Sequence, residues 1–187
     1  MIRAIVTLIL VFLPLAARAA PMDTVLAALA AEEAAPIERV RLFIERGDVV
    51  DIYYIDRVRP SRFRLVKNPR QGGPELVVID GMQWVRTTTG WQKSPAPAIT
   101  GLMPSIAGLF REGLTDPVEK LGPAGGRSVE GGMAWTNGTS CKGRLLLRID
   151  AAGLPSLLRF EGVCGGKPSR FRQAFSYTGP VTIAPPE

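Results

Sequence analysis

The sequence predicts an α+β fold: an incomplete antiparallel β-barrel, in effect one curved sheet, with an N-terminal helix and a central helical lid or plug. Three observations lead there. Apolar residues alternate with polar ones through residues 37–95 and again through 128–178, with Gly-Asp, Asp-Gly and Asn-Gly dipeptides placed to turn antiparallel strands. Between the two sets, apolar residues recur at helical spacing. Both faces of the first strand pair carry large apolar groups, which a sheet with one wetted face does not need.

Residues 1–19 read as a cleavable secretory signal. Arg3 supplies the positive start, residues 4–13 are an uninterrupted apolar run, Pro14 breaks it, and Ala17-Arg18-Ala19 offers a small-residue cleavage site. A membrane-crossing helix needs roughly 20 apolar residues, and Pro14 and Arg18 fall inside that span. No cysteine stands near the cleavage site to take a lipid anchor. Cleavage would leave residues 20–187 as one soluble domain and lower the formal net charge from +6 to +4. That surplus is too small to point to nucleic acid. It mildly favours anionic surfaces such as phospholipid headgroups or lipopolysaccharide.

An Ala-rich helix is expected over residues 22–34, with Asp23 as N-cap and Val25, Leu26 and Leu29 as a narrow apolar stripe; Pro36 ends it. In residues 37–46, Val40, Leu42 and Ile44 share a face. A turn at Gly47-Asp48 leads into 49–56, placing Leu42 opposite Tyr53 and Phe43 opposite Ile52. Strands follow at 62–67, 75–79 and 82–88, the last two joined at Asp80-Gly81, with a short piece at Gly90-Trp91 before Pro95 and Pro97. The second strand set begins near Ser128 and turns at Asn137-Gly138. It finishes at 169–178, where Phe171, Phe175 and Tyr177 share a face.

Residues 98–121 form the helical insertion. Leu102, Met103, Ile106, Leu109 and Phe110 line one face, and Gly113 stops the helix. Asp116-Pro117-x-Glu119 then reads as an N-cap, a proline at the first helical position and a capping acid, opening a short second helix. The stripe suits core packing; its place midway through an antiparallel sheet also suits a lid over the sheet's hollow side.

Cys141 and Cys164 lie in two strand-like runs around Ala151-Ala152-Gly153-Leu154. Folding that hairpin about Ala152-Gly153 sets Cys141 opposite Cys164, Leu145 opposite Phe160, Leu147 opposite Leu158 and Arg144 opposite Glu161. One register thus aligns the cysteines, an apolar face and a charge pair, and the expectation is a structural disulfide in an oxidising compartment. Histidine is absent, which removes Ser-His-Asp and Cys-His nucleophile systems and the usual zinc and copper ligands. No metal, cofactor or catalytic residue is expected. Asp48, Asp51, Asp56 and Asp80 are explained as turn or surface residues rather than as a carboxylate pair. Arg57, Arg59, Arg62, Arg64, Lys67 and Arg70 are either a solvated strand face or a basic rim that meets a lipid phosphate or a membrane surface.

Three short segments, in order, carry a family likeness: Arg59-Pro60-Ser61-Arg62-Phe63-Arg64, then Asp80-Gly81 followed by Trp84, and the closing Tyr177-Thr178-Gly179-Pro180. With the order of helix, meander, helical insertion and meander, they resemble the LolA/LolB-like superfamily of periplasmic lipoprotein carriers and lipid binders across nearly all of residues 20–187. The resemblance implies an incomplete barrel around an apolar cavity, lined by Phe63, Trp84 and the lid stripe. It also implies a latch or basic rim at Arg59, Arg62 and Arg64, with Arg59 holding the lid. The function so implied is a non-enzymatic carrier of a lipid or an acylated lipoprotein. The competing expectation is an envelope sensor or assembly module that binds a protein partner.

Overall fold

A computed structural model describes residues 20–96 and 106–187. The signal-like residues 1–19, and Leu102 and Met103 of the expected lid, lie outside these. Helix α1 (Pro21–Ala34) is followed by six strands: β1 (Ile37–Arg46), β2 (Val49–Val58), β3 (Arg62–Lys67), β4 (Glu75–Ile79), β5 (Met82–Thr87) and β6 (Gly90–Pro95). Helix α2 (Ile106–Gly113) leads into β7 (Leu114–Leu121), β8 (Arg127–Asn137), β9 (Thr139–Ile149), β10 (Pro155–Cys164) and β11 (Lys167–Ser176). The strands make one antiparallel sheet in the order β6-β5-β4-β3-β2-β1-β11-β10-β9-β8-β7. Two meanders are therefore sewn together where β1 pairs with β11, and β6 and β7 are left as edges. Among the described residues this is an α+β fold with a large open antiparallel sheet and two α-helices, consistent with an incomplete barrel.

The hairpin registers follow the turns. Leu42 pairs with Tyr53 and Phe43 with Ile52 across β1–β2; Cys141 pairs with Cys164, Leu145 with Phe160 and Leu147 with Leu158 across β9–β10. The disulfide is formed. Gly143 lies opposite Gly162, and the Phe160 ring occupies the space their missing side chains leave: a Cβ at Gly162 would stand 2.7 Å from the ring.

Four sequence expectations are corrected. The short helix at Asp116 is instead strand β7, paired with β8 through a bulge between Thr115 and Val118. Asp116 sits there in the left-handed region at φ 47°. Pro117 has no N–H to give a ladder, which an edge strand and a bulge both tolerate. An Asp-Pro pair thus reads the same at a bulge as at a helix start. Asp23 does not cap α1: the N-cap is Ala20, Pro21 fills the first turn, and Asp23 lies in that turn, where its charge favours the helix dipole. The piece at Gly90-Trp91 extends to Pro95 as a full hairpin with β5. Arg144 does lie opposite Glu161 in register, but Glu161 takes Arg159 and Arg170 as its ion-pair partners.

Both helices pack on the same face of the sheet. There Val25, Ala28 and Leu29 of α1 and Phe110 of α2 close a core with Leu114, Val129, Met133, Leu145, Leu147, Ile149 and Phe160. Trp135 and Phe171 extend it, with Trp135 edge-on to Phe160 at 4.7 Å.

Candidate functional site

Strand parity carries that apolar face on past the helices. Phe175 pairs with Val40, Val40 with Ile55, Ile55 with Leu65, and Leu65 with Leu76, so alternate residues of β11, β1, β2, β3 and β4 all point the same way. Val40, Ile55, Phe63 and Val78 are buried there; Leu42, Tyr53, Leu65, Leu76 and Phe175 are only half-buried. Among the described residues, Ala96 alone joins this group from outside the strands. The helix-packed face thus has a closed half over β7–β10 and a partly covered apolar half over β1–β4.

A polar cluster stands at the junction of α1 and β1, at the border of the two halves. Glu38 is in phase with Val40 and Leu42, so its carboxylate falls on the apolar side and is buried. It is held by Arg57, opposite it on β2, whose Nη1 donates to Oε2 at 2.8 Å, and by Arg59 at 3.5 Å. Arg59 Nη1 also donates to the Ala35 carbonyl at 2.8 Å, tying the C-terminal end of α1 to the end of β2. Glu32, buried on the last turn of α1, adds a second carboxylate. Burial first, then the charge of Glu38 and a hydrogen bond to it, push the Glu32 pKa up to about 8, against the pull of Arg57 and Arg59. Tyr177 brings its hydroxyl to the same place; burial and the nearby Glu32, Glu38 and Asp150 raise its pKa, so the phenol stays neutral. That hydroxyl is the one buried side-chain polar atom without a partner among the described residues.

The sign of the resulting pH dependence is definite. The folded chain holds a proton on Glu32 that the unfolded chain releases near 4.5. Its stabilising effect is complete below that value and is lost as pH rises through about 8. Urea unfolding is expected to give a stability lower by about 2–3 kcal/mol at about pH 9 than at about pH 6. Glu32→Gln, which keeps a donor toward Glu38 without the titration, is expected to flatten that slope. An unchanged slope in the variant would show that the proton sits elsewhere.

The residues singled out in the sequence are divided by the fold. Phe63 lies on the helix-packed face, opposite Val78, whereas Trp84 pairs with Val77 on the other face, beneath Ile183 and beside Trp91. Lys93 sits 5.2 Å over the Trp84 ring. Phe63 and Trp84 therefore do not come together. Phe110 is buried in the closed core. Ile106 and Leu109 belong to α2, but their side chains, like Leu102 and Met103, lie outside the described residues. The arginines separate as well. Arg57 and Arg59 serve the buried cluster, while Arg62 is exposed and Arg64 pairs with Glu75 at 2.7 Å on the opposite face. Lys67 pairs with Asp51 at 2.9 Å.

Sequence reasoning missed Glu32 and Glu38, and it placed Tyr177 on an apolar face and in a family-like segment without giving its hydroxyl a role. A signal for Glu38 was present: a carboxylate in phase with Val40 and Leu42, set opposite Arg57 by the same register that pairs Leu42 with Tyr53. No group of three or more His, Cys, Asp or Glu that could hold a metal ion occurs among the described residues. No catalytic constellation occurs among the described residues: the buried Glu38 and Glu75 are engaged with arginines, and the buried Glu32 holds a proton beside Glu38.

No protein-family model and no curated protein matches the chain. Among solved structures, it is similar to the lipoprotein LppX of Mycobacterium tuberculosis. That match has a TM-score of 0.55 and 12% identity, over 88% of this chain and 98% of that one. It is also similar to a structure of the Pseudomonas aeruginosa MucA/MucB complex, with a TM-score of 0.46 and 17% identity over 86% of this chain; the match spans 58% of that chain. At these identities the likeness is one of fold, and the fold this chain shares is that of a bacterial lipoprotein, LppX.

Proposed function

We propose that the protein is exported to the periplasm and carries or binds a lipid or an acylated ligand on the helix-packed face of its sheet, without performing chemistry. The observation that carries this reading is the contrast within that face. Over β7–β10 the helices complete a core, while over β1–β4 and β11 the side chains of Leu42, Tyr53, Leu65, Leu76 and Phe175 stay half-buried on a continuous apolar surface. Covering an acyl chain there yields about 0.8 kcal/mol per CH2, enough for binding without any catalytic group. The formed Cys141–Cys164 disulfide and the signal-like residues 1–19 support the compartment. In this reading Leu102, Met103, Ile106, Leu109 and Phe110 cover the ligand, with Phe110 as the anchored end, and Arg59 is the latch, acting on the α1–β1 junction.

Lipid extraction and mass spectrometry of protein purified from its native periplasm test the reading. A co-purifying lipid is expected, and Leu65→Lys is expected to lower its amount more than about tenfold, because an unpaired charge does not enter an apolar site. Repeated absence of lipid from the wild type, above all with a stable protein partner in its place, would refute the reading in favour of a sensor or assembly module.

A further inference from the structure

The face of the sheet turned away from the helices is divided. Over β4 and β5 the C-terminal residues lie on it: Ile183 is buried against Val77 and Ile79, with Trp84 and Trp91 beside them, and Arg39 donates to the Pro180 carbonyl at 2.6 Å. Over β2, β1, β11, β10 and β9 the same face is exposed, and a row of alternating charge, Val50, Glu45, Arg170, Glu161, Arg144, borders two rows of a different character. One row runs Tyr54, Arg41, Ala174, Leu157, Arg148; the next runs Ile52, Phe43, Arg172, Arg159, Leu146. Each begins with an apolar group on β2 and passes into arginines.

Arg159 stands directly opposite Arg172, an arrangement that costs stability in a free sheet. Glu161 partners Arg159, and Glu45 and Glu161 partner Arg170. Arg41, Arg148 and Arg172 have no carboxylate partner among the described residues, although Arg41 lies 5.3 Å over the Tyr54 ring. A depression of about 600 Å³ lies among Phe43, Leu157, Arg148, Arg159 and Arg172, with the ion-paired Glu45, Glu161 and Arg170 along its other side. Beside it, Val50, Ile52 and Tyr54 form an apolar ridge with 47%, 38% and 37% of their surface in water.

We propose that this face is a docking surface for an anionic phospholipid membrane. The unpaired arginines bind headgroup phosphates, and the Val50–Ile52–Tyr54 ridge enters the interfacial layer. An acidic polypeptide would satisfy the arginines but leave the adjoining aliphatic ridge unmatched, which is why the membrane is the occupant. The proposal extends the carrier reading by naming the surface through which a lipid donor or acceptor is met, yet it stands on residues of the opposite face.

Co-sedimentation with phosphatidylglycerol vesicles, compared with phosphatidylcholine vesicles, is the test. The wild type is expected to bind the anionic vesicles and to release them as salt is raised. Arg148→Ser with Arg172→Ser is expected to weaken binding roughly thirtyfold, at about fivefold per arginine. A second pair, Arg41→Ser with Ile52→Ser, is expected to weaken it as well, so a folding defect in one pair does not decide the outcome. Arg86→Gln with Arg127→Gln removes the same net charge from arginines already paired with Glu75 and Glu119, and is expected to change binding less than about twofold. Equal loss in that control, equal binding to phosphatidylcholine, or no vesicle binding, with or without capture of polyglutamate, would overturn the proposal. Bound lipid measured on the same preparations separates the two readings. Vesicle binding without co-purified lipid removes the carrier and leaves the docking surface; co-purified lipid without vesicle binding does the reverse.

Discussion

Glu32→Ala combined with Glu38→Ala is expected to destabilise the protein by about 3 kcal/mol, and by more than the two single changes added together. In the wild type Glu38 carries the charge that answers Arg57 and Arg59, and Glu32 beside it holds a proton. Removing Glu38 alone lifts the repulsion on Glu32, which can then ionise and take over the arginines. Removing Glu32 alone deletes a neutral carboxyl and its hydrogen bond. Only the double change leaves two guanidinium groups at the α1–β1 junction with no carboxylate. The cost is set at the low end for a broken buried pair because Arg57 and Arg59 keep 27% and 19% of their side-chain surface in water. Urea unfolding of the four proteins of the cycle at neutral pH measures it. Additivity within about 0.5 kcal/mol would mean that the carboxylates do not share the arginines.

Replacing both cysteines by alanine is expected to cost about 3 kcal/mol, the loop-closure entropy that a cross-link over 23 residues removes from the unfolded chain. Besides the bond, the folded state loses the packing of two sulfur atoms, since Cys141 and Cys164 are both buried in the core. The disulfide closes the far end of the β9–β10 ladder, whose pairs from Leu157–Arg148 to Val163–Lys142 remain without it, and Leu145 still packs against Phe160 across the strands. The main effect therefore falls on the unfolded chain, and the unfolding midpoint should drop without a change in far-ultraviolet circular dichroism. Wild type treated with a thiol reductant should show the same drop. A loss under about 1 kcal/mol in both would place the hairpin's order in its ladder alone. The experiment also bears on the division of the helix-packed face, since this hairpin carries much of the closed half on which α1 and α2 rest.

How legible each feature was depends on the length of chain that determines it. The β1–β2 and β9–β10 hairpins were readable because a tight turn fixes the register and one register satisfies several pairs at once; Leu42–Tyr53 and Cys141–Cys164 came from arithmetic on neighbouring residues. The strand at Asp116-Pro117 was not readable. Its identity depends on β8, which supplies the ladder that turns a helix-start motif into a bulge. Trp84 was grouped with Phe63 because both stand in segments that carry the family resemblance, yet the β4 parity puts Val77 and Val78, and so the two aromatics, on opposite faces. Glu32 looked like one more charge at the end of an Ala-rich helix. Its proton comes from being buried beside Glu38, a contact between a helix and a strand.

The sequence by itself determined the local architecture: antiparallel strands, most of their turns, the disulfide register and the N-terminal helix. Each rests on hydrophobic period and turn chemistry acting over a dozen or so residues. Only the tertiary structure decided that β1 pairs with β11, which makes two meanders one sheet. That pairing joins residues far apart in sequence with no turn between them to announce it. It also sets the strand parity, and with it the apolar face over β1–β4, the buried carboxylates at its border and the arginine rows behind it.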